Sequence, residues 1–297
     1  MGNGLQEKNG GSDMNDRHRE MVAVPSAANV KVTAVDCHAH VMRIDVPLAA
    51  ERHSAPERDV LPEEYLALLD GHGVSHGLLT APSFYGTDNS VLLEALRAYP
   101  ERLRGAVIVA PDIDRFSLEE MAGCGVVGIR LNLTKRSALP DLSTADYQQL
   151  FLHLQELGWH VEIFLESERL PEVLPHLRKS GVKVVLDHFA CPDPALGTSG
   201  VGFQLALAAV RDGNTWVKLS APYRLGGVDP RRYADALVEA ADTTGAGRLV
   251  WASDWPWTQH SEGLTYQMCI DWLNDWLPEP AMRQAALVDT PRKLFGF

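Results

Sequence analysis

Three features that the sequence lacks exclude broad classes of protein. No apolar run approaches the ~20 residues that a helix needs to cross a bilayer, so we expect no membrane partner. Lys and Arg number 27 against 39 Asp and Glu, which gives a net charge of −12. The densest basic clusters are adjacent pairs, and an acidic protein without a basic stripe is not expected to bind nucleic acid.

Closely spaced cysteines are also missing, because the four cysteines are scattered along the chain and form no C-x-x-C motif. Without a disulfide framework we expect reduced thiols and a cytoplasmic protein. Residues 1–30 are polar and rich in Gly and Asn, and they lack the apolar stretch of a secretory signal. We predict that residues 1–30 form a disordered extension and that residues 31–297 form a single domain.

From residue 31 onward, short apolar runs alternate regularly with helix-like segments. The predicted strands cover residues 32–35, 74–80, 103–110, 126–133, 159–165, 182–186, 215–219 and 249–252. The last two predicted helices cover residues 262–276 and 281–287. Near-continuous apolar strands are typical of a parallel sheet that is buried on both faces. Eight such units in about 265 residues predict an α/β fold, a (β/α)₈ TIM barrel.

The alternative architecture is a doubly wound open sheet, which usually carries a Gly-rich phosphate-binding turn after its first strand. Here that position reads Asp36-Cys-His-Ala-His40. Neither G-x-G-x-x-G nor G-x-x-x-x-G-K-[ST] occurs in the sequence. The sequence therefore favours the barrel.

Polar residues that follow the predicted strands are the candidates for chemistry, since the active sites of barrels lie at the C-terminal ends of the strands. His38 and His40 follow the first strand, two positions apart, so their side chains should point the same way. His188 follows the sixth strand and Asp254 the eighth. Taken singly, each could satisfy nearby backbone. Together, three imidazoles and a carboxylate can act as a general base beside an electrophilic cluster, or can bind a divalent metal.

Arginines form a second set of candidates. Arg130 lies late in the fourth strand, Arg136 lies in the loop after it, and Arg224 follows the seventh strand. Guanidinium groups at a barrel rim can bind carboxylates through two parallel hydrogen bonds, which predicts a pocket for a small anionic substrate. Ser83 and Tyr85, after the second strand, are candidate hydrogen-bond donors to that substrate.

Several short motifs together carry a family resemblance. They include Asp36-Cys-His-Ala-His40, Gly128-Ile-Arg-Leu-Asn132, Leu186-Asp-His-Phe189, Pro222-Tyr-Arg224 and Trp251-Ala-Ser-Asp-Trp-Pro256. In this order they resemble the lactonase branch of the amidohydrolase superfamily, most of all the 2-pyrone-4,6-dicarboxylate lactonases. Sugar-acid lactonases, a lactone isomerase and a sulfomuconolactone hydrolase share much of the pattern.

The resemblance implies a role for each candidate residue. Asp254 would take a proton from the water that attacks the lactone carbonyl, while three histidines polarise that carbonyl and stabilise the oxyanion; these are His38, His40 and His188. Substrate carboxylates would be held by a further group, which comprises Arg130, Arg136 and Arg224, with help from Ser83. Phe164 stands where the dicarboxylate lactonases carry Tyr or His, and this departure removes one polar contact.

Cofactor use is the point on which the resemblance divides. The 2-pyrone-4,6-dicarboxylate lactonases work without a divalent metal, whereas relatives with a similar ligand set use zinc. We therefore favour no cofactor, with zinc as the alternative; its ligands would be His38, His40, His188 and Asp254.

The sequence thus predicts a hydrolase that opens the lactone ring of a small carboxylated compound from the degradation of aromatic compounds, best represented by 2-pyrone-4,6-dicarboxylate. The alternatives within the superfamily are a sugar-acid or sulfomuconolactone lactonase and a metal-dependent decarboxylase. A non-catalytic protein that binds small acids is a further alternative. The sequence does not indicate an oligomeric state.

Overall fold

The computed structural model describes residue 1, residues 30–242 and residues 247–297. Residues 2–29, which make up nearly all of the predicted extension, lie outside the described residues. Eight parallel strands form one sheet whose spatial order follows the chain. They are β1 (Val35–Ala39), β2 (His76–Thr80), β3 (Leu103–Val107), β4 (Val126–Asn132), β5 (His160–Phe164), β6 (Lys183–Leu186), β7 (Thr215–Leu219) and β8 (Leu249–Trp251).

The sheet curls until its first and last strands nearly meet. Each strand pairs in parallel with the next, from β1 to β8. Beyond β8, Ala39 and Trp255 form a parallel bridge, and the His40 N–H donates to the Trp255 carbonyl at 2.9 Å. The Asp254 N–H donates to the His38 carbonyl at 3.0 Å. These contacts confirm the predicted barrel and bring the loop after β8 against the end of β1.

Helices connect the strands and cover the outside of the barrel. They are α1 (Pro62–Gly71), α2 (Ser90–Ala98), α3 (Arg115–Gly123), α4 (Ala145–Glu156), α5 (Leu170–Ser180), α6 (Val201–Asp212), α7 (Arg231–Asp242), α8 (Tyr266–Trp276), α9 (Pro280–Gln284) and α10 (Thr290–Phe295). Short 3₁₀ turns follow four of the strands within a few residues, over Ser83–Tyr85, Ser167–Arg169, His188–Ala190 and Pro222–Arg224. No helix among the described residues has the length and hydropathy that a bilayer crossing needs.

At three of the element boundaries that differ from the sequence prediction, a side chain replaces a backbone group as the hydrogen-bond partner. The first strand begins at Val35 rather than at residue 32, since the Ser75 hydroxyl accepts the Thr33 N–H at 2.8 Å. The third strand ends at Val107 rather than at residue 110, since the Asn89 amide pairs with both backbone groups of Ile108. The eighth helix begins only at Tyr266, where the preceding threonine caps it.

The C-terminal segment also differs from the prediction. A single helix was expected over residues 281–287, but α9 passes into a π-helical turn over Ala285–Asp289 and then into α10. Leu294 and Phe295 of α10 pack with a small apolar cluster that includes Val35 and Val127. A much larger apolar cluster includes residues from the strands and from the surrounding helices. Burial of Leu294 and Phe295 in the small cluster thus explains why the chain continues as helix beyond residue 287, where the predicted helix ended.

Candidate active site

Three histidines and one aspartate meet at the C-terminal ends of β1, β6 and β8. His38 Nε2 lies 3.3 Å from His40 Nε2 and 3.5 Å from Asp254 Oδ1. Asp254 Oδ1 also lies 3.6 Å from His40 Nε2 and 4.0 Å from His188 Nε2. All four residues are buried. The structure therefore brings together the four residues that the sequence singled out as catalytic candidates.

Two of these four residues have an unusual backbone conformation, which directs their side chains toward the cluster. His188 has a φ of 49° and Asp254 a φ of 58°, which lie in the left-handed region that non-glycine residues rarely adopt. Behind Asp254, the buried Asp36 carboxylate accepts hydrogen bonds from the Ser253 N–H at 2.9 Å and hydroxyl at 2.6 Å. Burial raises the pKa of Asp36 more than these bonds lower it. Strained backbone that is anchored in this way is characteristic of functional sites.

Asp254 is held as a carboxylate by its neighbours. Its Oδ2 accepts a hydrogen bond from the Tyr223 hydroxyl at 2.5 Å and lies 3.2 Å from Nη2 of Arg224. Burial raises the pKa of Asp254, but His188 and the Arg224 guanidinium outweigh burial and hold that pKa well below its usual range. Asp254 is therefore ionised at neutral pH, with Oδ1 facing the histidines. Sequence reasoning missed Tyr223, although it directly precedes the selected Arg224.

Two of the histidines, His38 and His188, are neutral hydrogen-bonding groups. Burial, with a smaller contribution from the Lys218 ammonium, lowers the pKa of His38 to about 4. Burial also lowers the pKa of His188 well below its usual range. His40 Nδ1 lies 2.7 Å from the Thr80 carbonyl, which can only accept, so Nδ1 of His40 carries a proton. Each neutral ring offers one N–H donor and one acceptor.

Below the histidines, a charged network fills the barrel interior. Lys218 Nζ lies 2.6 Å from Glu162 Oε1, 3.2 Å from Asp187 Oδ1 and 2.9 Å from His38 Nδ1. Burial raises the pKa of Glu162, but Lys218 and the hydrogen bond from His160 outweigh burial and lower it to about 2. Sequence reasoning missed Lys218, and the available signal was a lysine within the apolar run of β7.

Basic residues line the pocket above this cluster. Arg130 is buried and donates from Nη2 to Asp187 at 3.1 Å, while Arg224 is partly exposed. Both guanidinium groups lie over the Phe164 ring, with distances to its centroid of 5.3 and 5.7 Å. Ser83 lines the same pocket.

Two other predicted substrate contacts lie elsewhere. Arg136 is exposed. Its neighbour Lys135, and not Arg136, is among the described residues that line the pocket. The Tyr85 hydroxyl accepts from the Arg43 N–H at 2.8 Å and donates to the Arg43 carbonyl at 2.6 Å, so it holds the loop after β1. Substrate roles for Arg136 and Tyr85 stay predictions.

The donor atoms of this cluster are spaced closely enough to hold a metal ion. His38 Nε2, His40 Nε2 and Asp254 Oδ1 form a triangle with sides of 3.3, 3.5 and 3.6 Å. Zinc bonds to nitrogen and oxygen of roughly 2.0–2.2 Å in a tetrahedron place neighbouring ligand atoms about 3.4 Å apart. The heavy atoms therefore fit one face of a zinc site, and His188 adjoins it.

Comparison with known proteins identifies the family of this chain. A profile of the family described as Amidohydrolase matches residues 35–297. The chain is 29% identical over 289 residues to a 2-pyrone-4,6-dicarboxylate hydrolase from Comamonas testosteroni. This alignment covers 92% of this chain and 94% of the relative. It is 28% identical over 268 residues to a 4-sulfomuconolactone hydrolase from Hydrogenophaga intermedia, with 88% of each chain covered.

A solved structure gives the same result. A probable 2-pyrone-4,6-dicarboxylic acid hydrolase from Acinetobacter baumannii, with citric acid bound, superposes with a TM-score of 0.82. It shares 31% sequence identity, and the match covers 89% of this chain and 99% of the other. The eight-stranded barrel and its family are therefore shown by sequence and by structure.

Proposed function

Since the chain belongs to the amidohydrolase family, we propose that it hydrolyses the lactone ring of a small carboxylated compound such as 2-pyrone-4,6-dicarboxylate. A pocket that combines cationic groups with an ionised carboxylate supports this function. Arg130, Arg224 and Lys135 line the pocket on a protein whose net charge is −12. Cations gathered against the overall charge favour an anionic substrate, and the relatives named above act on lactones or bind a carboxylic acid.

In the proposed reaction, Asp254 acts as the general base. Its carboxylate takes a proton from a water molecule as the water oxygen bonds to the lactone carbonyl carbon. Neutral His188, which lines the pocket, donates a hydrogen bond to the oxyanion that forms, in a buried site where such bonds are strong. The ring C–O bond then breaks, and the proton on Asp254 passes to the leaving oxygen. The product carries one new carboxyl group and one new hydroxyl or enol.

Substrate binding is proposed to adjust the base as well. In the free protein Arg224 holds the pKa of Asp254 low, so the carboxylate is ionised but only weakly basic. A substrate carboxylate on Arg224 offsets part of that positive charge, which raises the pKa of Asp254 and makes it a better base. Arg130 is already paired with Asp187, and it would bind a substrate group with its remaining donors.

A metal ion is compatible with the same residues. His38, His40 and Asp254 would hold zinc, and a bound zinc would acidify a water molecule and polarise the carbonyl. The proposed steps need only water and the side chains of this chain.

All four cysteines are free, which supports the cytoplasmic location that the sequence predicts. We also propose that the protein acts in the degradation of aromatic compounds.

The proposal is tested with purified protein and a panel of lactones. Loss of the ultraviolet absorbance of 2-pyrone-4,6-dicarboxylate is expected, with no release of carbon dioxide from the same sample. Release of carbon dioxide would instead identify a decarboxylase. Binding of dicarboxylates without any turnover, measured by calorimetry, would identify a non-catalytic protein. Conversion of 4-sulfomuconolactone or a sugar-acid lactone alone would move the proposal to another substrate of the same reaction.

A further inference from the structure

Lys218 is fully buried beneath the active site, and the proposed reaction gives it no role. Its ammonium contacts Glu162 Oε1 at 2.6 Å, His38 Nδ1 at 2.9 Å and Asp187 Oδ1 at 3.2 Å. An ammonium group has three N–H donors and no acceptor. Glu162 Oε1 accepts a hydrogen bond from Lys218, Asp187 Oδ1 lies within ion-pair distance, and the two carboxylates offset the cost of burying its charge.

Two groups compete for His38 Nδ1, and they require opposite proton positions. Lys218 Nζ, at 2.9 Å, can only donate, so it requires a lone pair on Nδ1. Asp187 Oδ1, at 3.4 Å, can only accept, so it would require a proton there. Hydrogen bonds from nitrogen to oxygen or nitrogen weaken beyond about 3.2 Å. The shorter contact with Lys218 makes Nδ1 the acceptor, and the single proton of neutral His38 then lies on Nε2.

The side of His38 that faces His40 leads to the same assignment. His40 Nδ1 donates to the Thr80 carbonyl at 2.7 Å, so a His40 ring that carries one proton has its lone pair on Nε2. That lone pair lies 3.3 Å from His38 Nε2. A proton on His38 Nε2 gives this contact a donor and an acceptor, whereas the other tautomer would bring two lone pairs together.

We propose that Lys218 is a positioning residue that fixes His38 as the tautomer with its proton on Nε2, so that His38 directs a hydrogen-bond donor toward His40 Nε2 and Asp254 Oδ1, at 3.3 and 3.5 Å. This inference rests on the proposed function only for what the donor serves, which is to orient the Asp254 carboxylate as the base for the lactone. It also bears on zinc, because a protonated Nε2 has no lone pair to coordinate a metal. Lys218 thus weakens one corner of the triangle of metal-binding atoms.

The tautomer is measured directly in the unmodified full-length protein, without substrate or metal, by two-bond ¹H–¹⁵N spectra of ¹⁵N-labelled histidine at neutral pH. A His38→Gln variant identifies the His38 signals. The expected spectrum has a protonated Nε2 and an unprotonated Nδ1. A protonated Nδ1 in His38 would overturn the inference. Because no substrate is present, this result stands apart from the proposed function: correct tautomer without lactone turnover would reject only the latter.

A pair of variants tests whether Lys218 is the cause. Lys218→Met combined with Glu162→Gln removes one positive and one negative charge, and Glu162→Gln alone is the matched control that keeps the ammonium. The double variant is expected to move the His38 proton to Nδ1, toward Asp187, and to bind zinc at least tenfold more tightly in a chelator competition. An unchanged tautomer and zinc affinity in a folded double variant would show that Lys218 does not set the proton. If that variant does not fold, a protonated Nδ1 in the unmodified protein still overturns the inference, because the Lys218 ammonium can only donate and would then face no lone pair.

Discussion

Asp254→Asn is expected to lower kcat for lactone hydrolysis by roughly 10²–10⁴-fold, the usual contribution of a general base. The amide cannot accept a proton from water, so the attacking oxygen loses its activation. The backbone should be retained, because Asn tolerates the left-handed conformation that residue 254 adopts, at a φ of 58°. The Tyr223 hydroxyl can still donate to the amide oxygen.

Initial rates give kcat, and circular dichroism with thermal unfolding checks that the Asp254→Asn protein is folded. Asp275→Asn, the same change at an exposed residue of α8, is the control and should leave both rate and unfolding unchanged. Turnover near that of the unmodified protein would remove Asp254 from the role of base.

Arg224→Met is expected to raise KM for a dicarboxylate more than tenfold, while KM for an uncharged lactone changes little. Hydrogen bonds to charged groups contribute about 1.5–3 kcal/mol, and each 1.4 kcal/mol is about tenfold in affinity. Methionine keeps most of the contact with the Phe164 ring, so the change removes charge more than packing. Arg97→Met, on the exposed surface of α2, is the control.

The same Arg224→Met variant should also change the pH dependence. Arg224 helps to lower the pKa of Asp254, so its removal raises that pKa in the free protein. The acidic limb of kcat/KM reports the free-enzyme base, and it should therefore move to higher pH. Equal losses on charged and uncharged lactones, with an unmoved acidic limb, would mean that Arg224 has a structural role only.

The barrel was predictable because its signals are local and repeated. Short apolar runs and helical segments alternate eight times, and the rule that strand ends carry the chemistry selected His38, His188 and Asp254. Boundaries were less predictable where a distant side chain replaced a backbone partner. The Ser75 hydroxyl accepts the Thr33 N–H in this way, so β1 begins later than predicted. Thr33 and Ser75 are far apart in sequence, and no local pattern reveals their contact.

The supporting residues of the site were not predictable from local patterns. Lys218 stands out in sequence only as a charged residue in an apolar strand, and its role depends on three distant parts of the chain that place Glu162, Asp187 and His38 around it. The choice between Arg136 and Lys135 depends on a backbone turn. Lys135 has a φ of 58°, and its N–H donates to Glu166 at 2.9 Å. This turn places Lys135 at the pocket and leaves Arg136 outside it.

The central claim is that water, activated by Asp254, adds to the carbonyl of a carboxylated lactone. Its most direct test is mass spectrometry of 2-pyrone-4,6-dicarboxylate converted by the protein in H₂¹⁸O, at early time and with Asp254→Asn in parallel. We predict a ring-opened product that carries one ¹⁸O atom, with only background conversion by the variant. A product without ¹⁸O, or one that has lost carbon dioxide, would contradict the claim.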